Sequence, residues 1–148
     1  LKEINITKPI KQINHSLALT AGTIRGMHYQ NPPHAEMKMV RCISGEIFDV
    51  AIDLRINSDT FLQWHGEYLS AENYKIMIVP EGFAHGFQTL VDNVELLYLH
   101  SEFYSQKHES GLLFNDETIA IDWPLPVSEI SERDKSHPNL NKLDSMKL

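Results

Sequence analysis

The sequence predicts an all-β domain, a sandwich or barrel with a short helical appendage near its C-terminal end. Three features carry that expectation. Apolar residues alternate with period two in several short runs, turn-forming clusters separate those runs, and one late stretch alone reads as helical. A chain of 148 residues suits one domain with a core of its own. That domain is placed at 1–134, and 135–148 read as a loose polar tail without periodicity.

Taken in order, "IRGMHYQ" at 24–30 sets Arg25 and His28 around Gly26 inside an apolar run, which fits either a surface strand or a pocket wall. "MKMVRCIS" at 37–44 alternates, with Met37, Met39, Arg41 and Ile43 on one face and Lys38, Val40, Cys42 and Ser44 on the other. Neither face is wholly apolar, which suits a strand lining a cavity. Ser44-Gly45 reads as a tight hairpin leading into "EIFDVAIDL" at 46–54. There Phe48, Val50, Ile52 and Leu54 form the core face, and Asp49 and Asp53 read as structural or solvent-facing. Further strands are expected at 62–69, 74–79, 84–90 and 94–101, punctuated by "SAEN", "PEG" and "DN". "IDWPLPVSEISERD" mixes prolines with a short polar helix after Ser128.

Composition narrows the function classes. The net charge is -7, and lysines and arginines are scattered rather than gathered into a basic stripe, so no nucleic-acid partner is expected. No apolar run approaches the roughly 18 residues of a membrane span, and no secretory signal pattern opens the chain. The single cysteine, Cys42, lies in an alternating apolar run and reads as a buried, inert thiol, which points to the cytoplasm. Small anionic ligands remain open, since one or two local arginines suffice for them.

Two stretches carry chemistry: "RGMHYQ" with His28, and "VPEGFAHGFQ" with His85 between Phe83 and Phe87. Glycines beside both histidines allow close approach of another chain or a ligand. Together with "GTIRGMHYQNPPHAEMKMVRCISGEIFDVAIDLR", "SDTFLQWHGEYLSAEN", "ELLY" and "DETIAIDWPL", they resemble the dTDP-4-dehydrorhamnose 3,5-epimerase family, nucleotide-sugar epimerases of the cupin superfamily. The match runs almost continuously from about Asn14 to Asp134, in family order and spacing.

The resemblance implies a cupin-type double-stranded β-helix, or jelly-roll sandwich, and a homodimer. It implies an enzyme that epimerises carbons beside the 4-keto group of a nucleotide-diphospho-deoxysugar, in the assembly of cell-surface polysaccharide. An α-proton beside a ketone is weakly acidic, so such a site needs a base, a stabiliser for the enolate oxygen and an acid on the opposite ring face. His28 stands where the family's base lies, and an imidazole with an ordinary pKa of about 6.5 suits that task. Asp134 matches its carboxylate partner, Lys38 the lysine near the keto oxygen, and Tyr98 the proton donor. Arg25, Gln30, His85 and Arg41 are carried over as substrate-binding residues. No cofactor is expected, because the substrate's ketone is the electron sink. The plainer alternatives are a solvated strand residue for Lys38, a core or edge aromatic for Tyr98 and a surface charge for Asp134.

Two other readings stay open. One is a weak or inactive sugar-binding cupin, because the chain starts at "LKEINITKPIKQINHSL" and shows none of the family's N-terminal arm; it reads as a fragment or as a protein with a reduced grip on the nucleotide. The other is a metal cupin using His28, His85 and Glu36, with His34 in the "NPPH" loop. Metal is disfavoured, since Gln30 stands where metal cupins repeat the histidine. Smaller departures flank the site. "AEMK" replaces Ala-Gln-Gly-Lys before Lys38, and Leu99-His100 follow Tyr98 in place of a lysine and a small residue.

Overall fold

The computed structural model describes residues 6–142, so the predicted tail beyond 142 lies outside the described residues. Among the described residues ten strands form two antiparallel-dominated sheets. β1 (Gln12–Ala18), β8 (Val94–His100), β3 (Lys38–Ser44) and β6 (Ile76–Val79) make a four-stranded sheet in that order. β10 (Glu129–Ile130), β2 (Thr23–Gln30), β7 (Phe83–Thr89), β4 (Glu46–Asp53) and β5 (Trp64–Ser70) make the second, which β9 (Glu109–Gly111) joins beside β2. A single turn of helix, α1 (Glu132–Lys135), follows β10. Among the described residues no helix is long and apolar enough to cross a membrane.

The predicted Ser44-Gly45 hairpin is a corner instead. β3 pairs with β6 and β8, whereas β4 pairs with β5 and β7, so the chain changes sheets at Gly45. Gly45 has a positive φ of 78°, and a Cβ there would come within 2.9 Å of the Val94 side chain. The reason lies in what the two strands share. Val40 and Cys42 from β3 and Ile47 and Ala51 from β4 enter one inter-sheet core with Leu69, Met77, Val79, Phe87, Val94 and Leu96. Cys42 is fully buried there, and burial pushes its thiol pKa up.

The apolar face of β4 is a core face, as expected, but the core it enters is a second one. Phe48, Val50 and Ile52 lie on the outer side of the six-stranded sheet, in a second core with Met27, Tyr29, Ala84, Leu112 and Ile119. Ile121, Trp123 and Leu140 roof it. The opposite face, which carries Asp49 and Asp53, is therefore not solvent-facing: both carboxylates are fully buried between the layers. Asp53 is structural, bonded to Arg55, Ser58 and Thr60, and despite the upward push of burial those bonds hold its pKa well below the carboxylate range.

Two strands start later than the alternation predicts. Leu62 and Tyr74 take positive φ in the preceding turns, so pairing begins at Trp64 and Ile76. β1 carries its polar residues Gln12, Asn14 and Ser16 to the inside, where they line a cavity, which hides it from a search for a buried apolar stripe. The first residues of the tail are docked rather than loose. Leu113 N–H donates to Pro138 (2.9 Å), and Leu140 N–H donates to the buried Asp116 carboxylate (2.6 Å), which also accepts from Thr118 and Ile119. Asp116→Ala removes a buried acceptor serving three backbone donors. It should cost about 1–3 kcal/mol in urea unfolding and speed proteolytic cleavage after residue 136.

Candidate active site

The site begins with an irregularity in β2. Arg25 pairs with Phe87 and His28 with His85, so three steps along β2 are matched by two along β7. In a regular strand, residues three apart face opposite sides; the extra residue turns Arg25 and His28 to the same inner side. Gly26 makes the bulge sterically possible, since a Cβ there would stand 2.5 Å from the Gly86 Cα, at a φ of 139°.

His28 Nε2 lies 2.8 Å from Asp134 Oδ1, while Asp134 Oδ2 accepts from the Gly26 N–H at 3.1 Å. Ser131 caps α1 by accepting from the Asp134 N–H, which fixes where the carboxylate enters. With Nε2 directed to Asp134, Nδ1 is the ring nitrogen left for the cavity. Burial pushes the Asp134 pKa up, but the hydrogen bond and charge of His28, the Gly26 N–H and the Arg133 guanidinium outweigh it and hold the carboxyl down at about 2. Arg133, which also pairs with Glu109, comes within 3.2 Å of His28 Nε2.

The facing wall belongs to the four-stranded sheet. Lys38, Tyr98 and His100 share the cavity of about 450 Å³ with Arg25, His28, Gln30 and His85. Lys38 and His100 are direct cross-strand partners, and Glu36 lies 3.0 Å from Lys38 Nζ and 2.8 Å from His100 Nδ1. Burial raises the Glu36 pKa, yet His100 and Lys38 more than reverse the effect. Burial pushes the Tyr98 phenol far up, aided by the nearby Asp49 charge and only partly offset by Ser16 and Arg25. His85 is held through Nε2 by Asp49 Oδ1 at 2.7 Å.

Six of the eight residues expected at the site, His28, Lys38, Tyr98, Arg25, Gln30 and His85, thus line one cavity, and Asp134 sits directly behind His28. Gln30 is occupied as an anchor: its amide bonds the carbonyls of His34 and Phe103 and the Ser105 N–H. Arg41 does not reach the cavity. Since Val40 and Cys42 point inward, period two sends Arg41 outward, where it bonds the Ser70 and Ala71 carbonyls and stacks on Tyr74. The proposed metal set does not assemble either, for His28, His85 and Glu36 are each engaged by a different partner. Among the described residues the one three-ligand group is His28, Asp134 and His137, and the Arg133 guanidinium stands against it, an unfavourable setting for a cation. Asp49, His100 and Arg133 were not anticipated. An aspartate in the middle of "FDVAID" is the one signal that pointed to the first.

Comparison with known proteins shows the family and the fold. The family model described as dTDP-4-dehydrorhamnose 3,5-epimerase matches residues 1–142. The chain belongs to that family. A relative of that name from Shigella flexneri is 49% identical over 123 residues, covering 83% of this chain and 67% of the relative. The crystal structure of the Bacillus anthracis dTDP-4-dehydrorhamnose 3,5-epimerase, with TDP and PPi bound, superposes with a TM-score of 0.92 at 44% identity, covering 94% of this chain and 79% of that one. A Legionella pneumophila epimerase in complex with dTDP-4-keto-L-rhamnose gives 0.91 at 38% identity, with 97% and 76% covered. This chain thus spans two-thirds to four-fifths of these epimerases, and its strands are those of their cupin-type sandwich.

The depressed pKa of Asp134 makes a prediction about acid stability. Its contribution is complete above the ordinary value of 3.8 and is lost as pH falls through about 2. Asp134→Asn should flatten the stability-against-pH curve in that window, measured by urea unfolding at a series of pH values.

Proposed function

We propose that this protein inverts carbons 3 and 5 of a dTDP-linked 4-keto-6-deoxysugar in the cytoplasm. The observation that carries the reading is the placement of a carboxylate-bound imidazole, His28, and a half-buried phenol, Tyr98, on opposite sheets around one cavity of sugar size. His28 Nδ1 takes the α-proton, and the electron pair of the C–H bond moves into the C4 carbonyl to give an enolate. Asp134 keeps the ring oriented and stabilises the imidazolium that results. The Lys38 ammonium holds the enolate oxygen. Tyr98 then gives its proton to the opposite face of the same carbon, the carbonyl re-forms, and solvent returns the phenolate and imidazolium to their starting states. The raised Tyr98 pKa serves this role, because the phenol stays protonated until carbanion character develops beside it.

The same reading includes a homodimer. The outer face of the four-stranded sheet exposes Ile13, Leu17, Ile43, Ile76 and Ile78, a contiguous apolar surface of the kind that covers itself against a second copy.

Three measurements test these statements. Wild-type protein should wash solvent deuterium into C3 and C5 of the dTDP-4-keto sugar, and a folded protein that exchanges neither carbon overturns the reading. His28→Ala should lose turnover by about 100- to 10,000-fold, whereas Tyr98→Phe should retain deuterium exchange but stall inversion. Ile13→Asp with Ile76→Asp should convert a sedimenting dimer to a monomer.

A further inference from the structure

The chemistry proposed above uses Lys38, but not the two groups bound to it. Glu36 spans from Lys38 to His100, and all three side chains are about nine-tenths buried in the cavity wall. His100 is stacked against Tyr98, with ring centroids 6.0 Å apart and an interplanar angle of 24°. Its Nδ1 is committed to Glu36, and its Nε2 is a buried polar atom with no protein partner. A buried nitrogen without a partner is costly, so a ligand group that satisfies it gains more than one offered to water.

The protonation pattern specifies what that group is. Glu36 is held ionised by its two partners and accepts only, so Nδ1 must carry the hydrogen. In the neutral ring Nε2 then carries a lone pair and is an acceptor. Its complement is a donor, which on a sugar is a hydroxyl, not a carbonyl or a phosphate oxygen. Lys38 is the direct cross-strand partner of His100, so an oxygen bound by one is next to an oxygen bound by the other. If Lys38 holds the keto oxygen on C4, its neighbour on the ring is the C3 hydroxyl. We propose that His100, positioned by Glu36, is a substrate-recognition residue whose Nε2 accepts the hydrogen bond of the sugar's C3 hydroxyl. The inference rests on the reading of the cavity as a sugar-nucleotide site and deepens it. Glu36 and His100 also lie within the two stretches, "AEMK" and Leu99-His100, at which the sequence departs from the pattern its resemblance implies.

Calorimetric binding isolates the contact from turnover. The ligands are dTDP-6-deoxyglucose and its 3-deoxy analogue, neither of which carries a ketone to react. Wild-type protein should prefer the hydroxylated ligand by about five- to tenfold, the value of one hydrogen bond to a buried acceptor. His100→Phe, which keeps the ring and loses the nitrogen, should bring that ratio to one. Glu36→Ala, which frees the tautomer, should also lower it, and the double variant should be no worse than His100→Phe alone. His100→Gln, whose amide oxygen stands near the Nε2 position, should recover part of the ratio, and it supplies the comparison if the phenylalanine variant does not fold. Equal affinities in the wild type, or an unchanged ratio in a cooperatively melting His100→Phe, overturns the assignment. Deuterium exchange without the ratio sinks the His100 contact alone; the ratio without exchange sinks the epimerase reading alone.

Discussion

The bulge in β2 is the constraint on which the site depends. The chain gains one residue against β7 at Gly26-Met27, and the consequences are linked. His28 and Arg25 come to the same side. Met27 is sent to the outer core, where it is fully buried. The Gly26 N–H leaves the ladder and becomes the second donor to Asp134. Gly86 on β7 is the other half of the device, since a Cβ there would strike Met27 Sδ at 2.5 Å and the Arg25 carbonyl at 2.8 Å. A side chain at either glycine would push the strands apart, and with them the imidazole from its carboxylate.

A wall carrying this many titratable groups is expensive to desolvate, and its pairing shows how the cost is met. Three of the cavity histidines, the ones shielded from solvent, each have their own carboxylate: His28 with Asp134, His85 with Asp49, His100 with Glu36. Such pairs add little net stability, because desolvation consumes most of the Coulombic gain, and removing one partner is far worse than removing both. What they supply is orientation. Each carboxylate commits one ring nitrogen and thereby decides which one faces the cavity, so donors and acceptors are in place before a substrate arrives.

The sequence made the strands legible wherever short apolar-rich runs are bounded by turn residues, as in β3, β4, β7 and β8, and less so where the pattern is inverted or doubled. β1 was missed because its inward residues, Gln12, Asn14 and Ser16, are polar. In β4 the alternation marks a core face but does not show that the other face is buried too, because the six-stranded sheet is covered on both sides: the apolar face meets the C-terminal roof, and the face with Asp49 meets the other sheet. At the site, family order found His28, Lys38, Tyr98 and Asp134, which no local pattern would have joined, since they come from separate strands and a helical turn. Arg41 was an error that period two alone corrects, for it lies an odd number of residues from Lys38. The Glu36–His100 bond was invisible for the opposite reason. Its members are 64 residues apart and meet only through the β3–β8 register.

The two-sheet architecture also answers a requirement of the chemistry. Inversion at carbon needs the departing and arriving protons on opposite faces of a ring, and a single wall cannot supply both. In this sandwich the six-stranded sheet carries the imidazole, and the four-stranded sheet carries the phenol and the ammonium, so the proposed base and acid are separated as the layers are. The proposed base receives its carboxylate from the last part of the chain, because Asp134 lies beyond all ten strands and reaches His28 through β10, the Ser131 cap and the segment tied down at Pro138 and Leu140. The roof over the outer core and the carboxylate of the site are parts of one segment. The packing of Trp123, Ile119 and Leu140 against β4 and β7 thus holds the same stretch of chain that orients the imidazole, and apolar burial on the outer face is converted into geometry on the inner one.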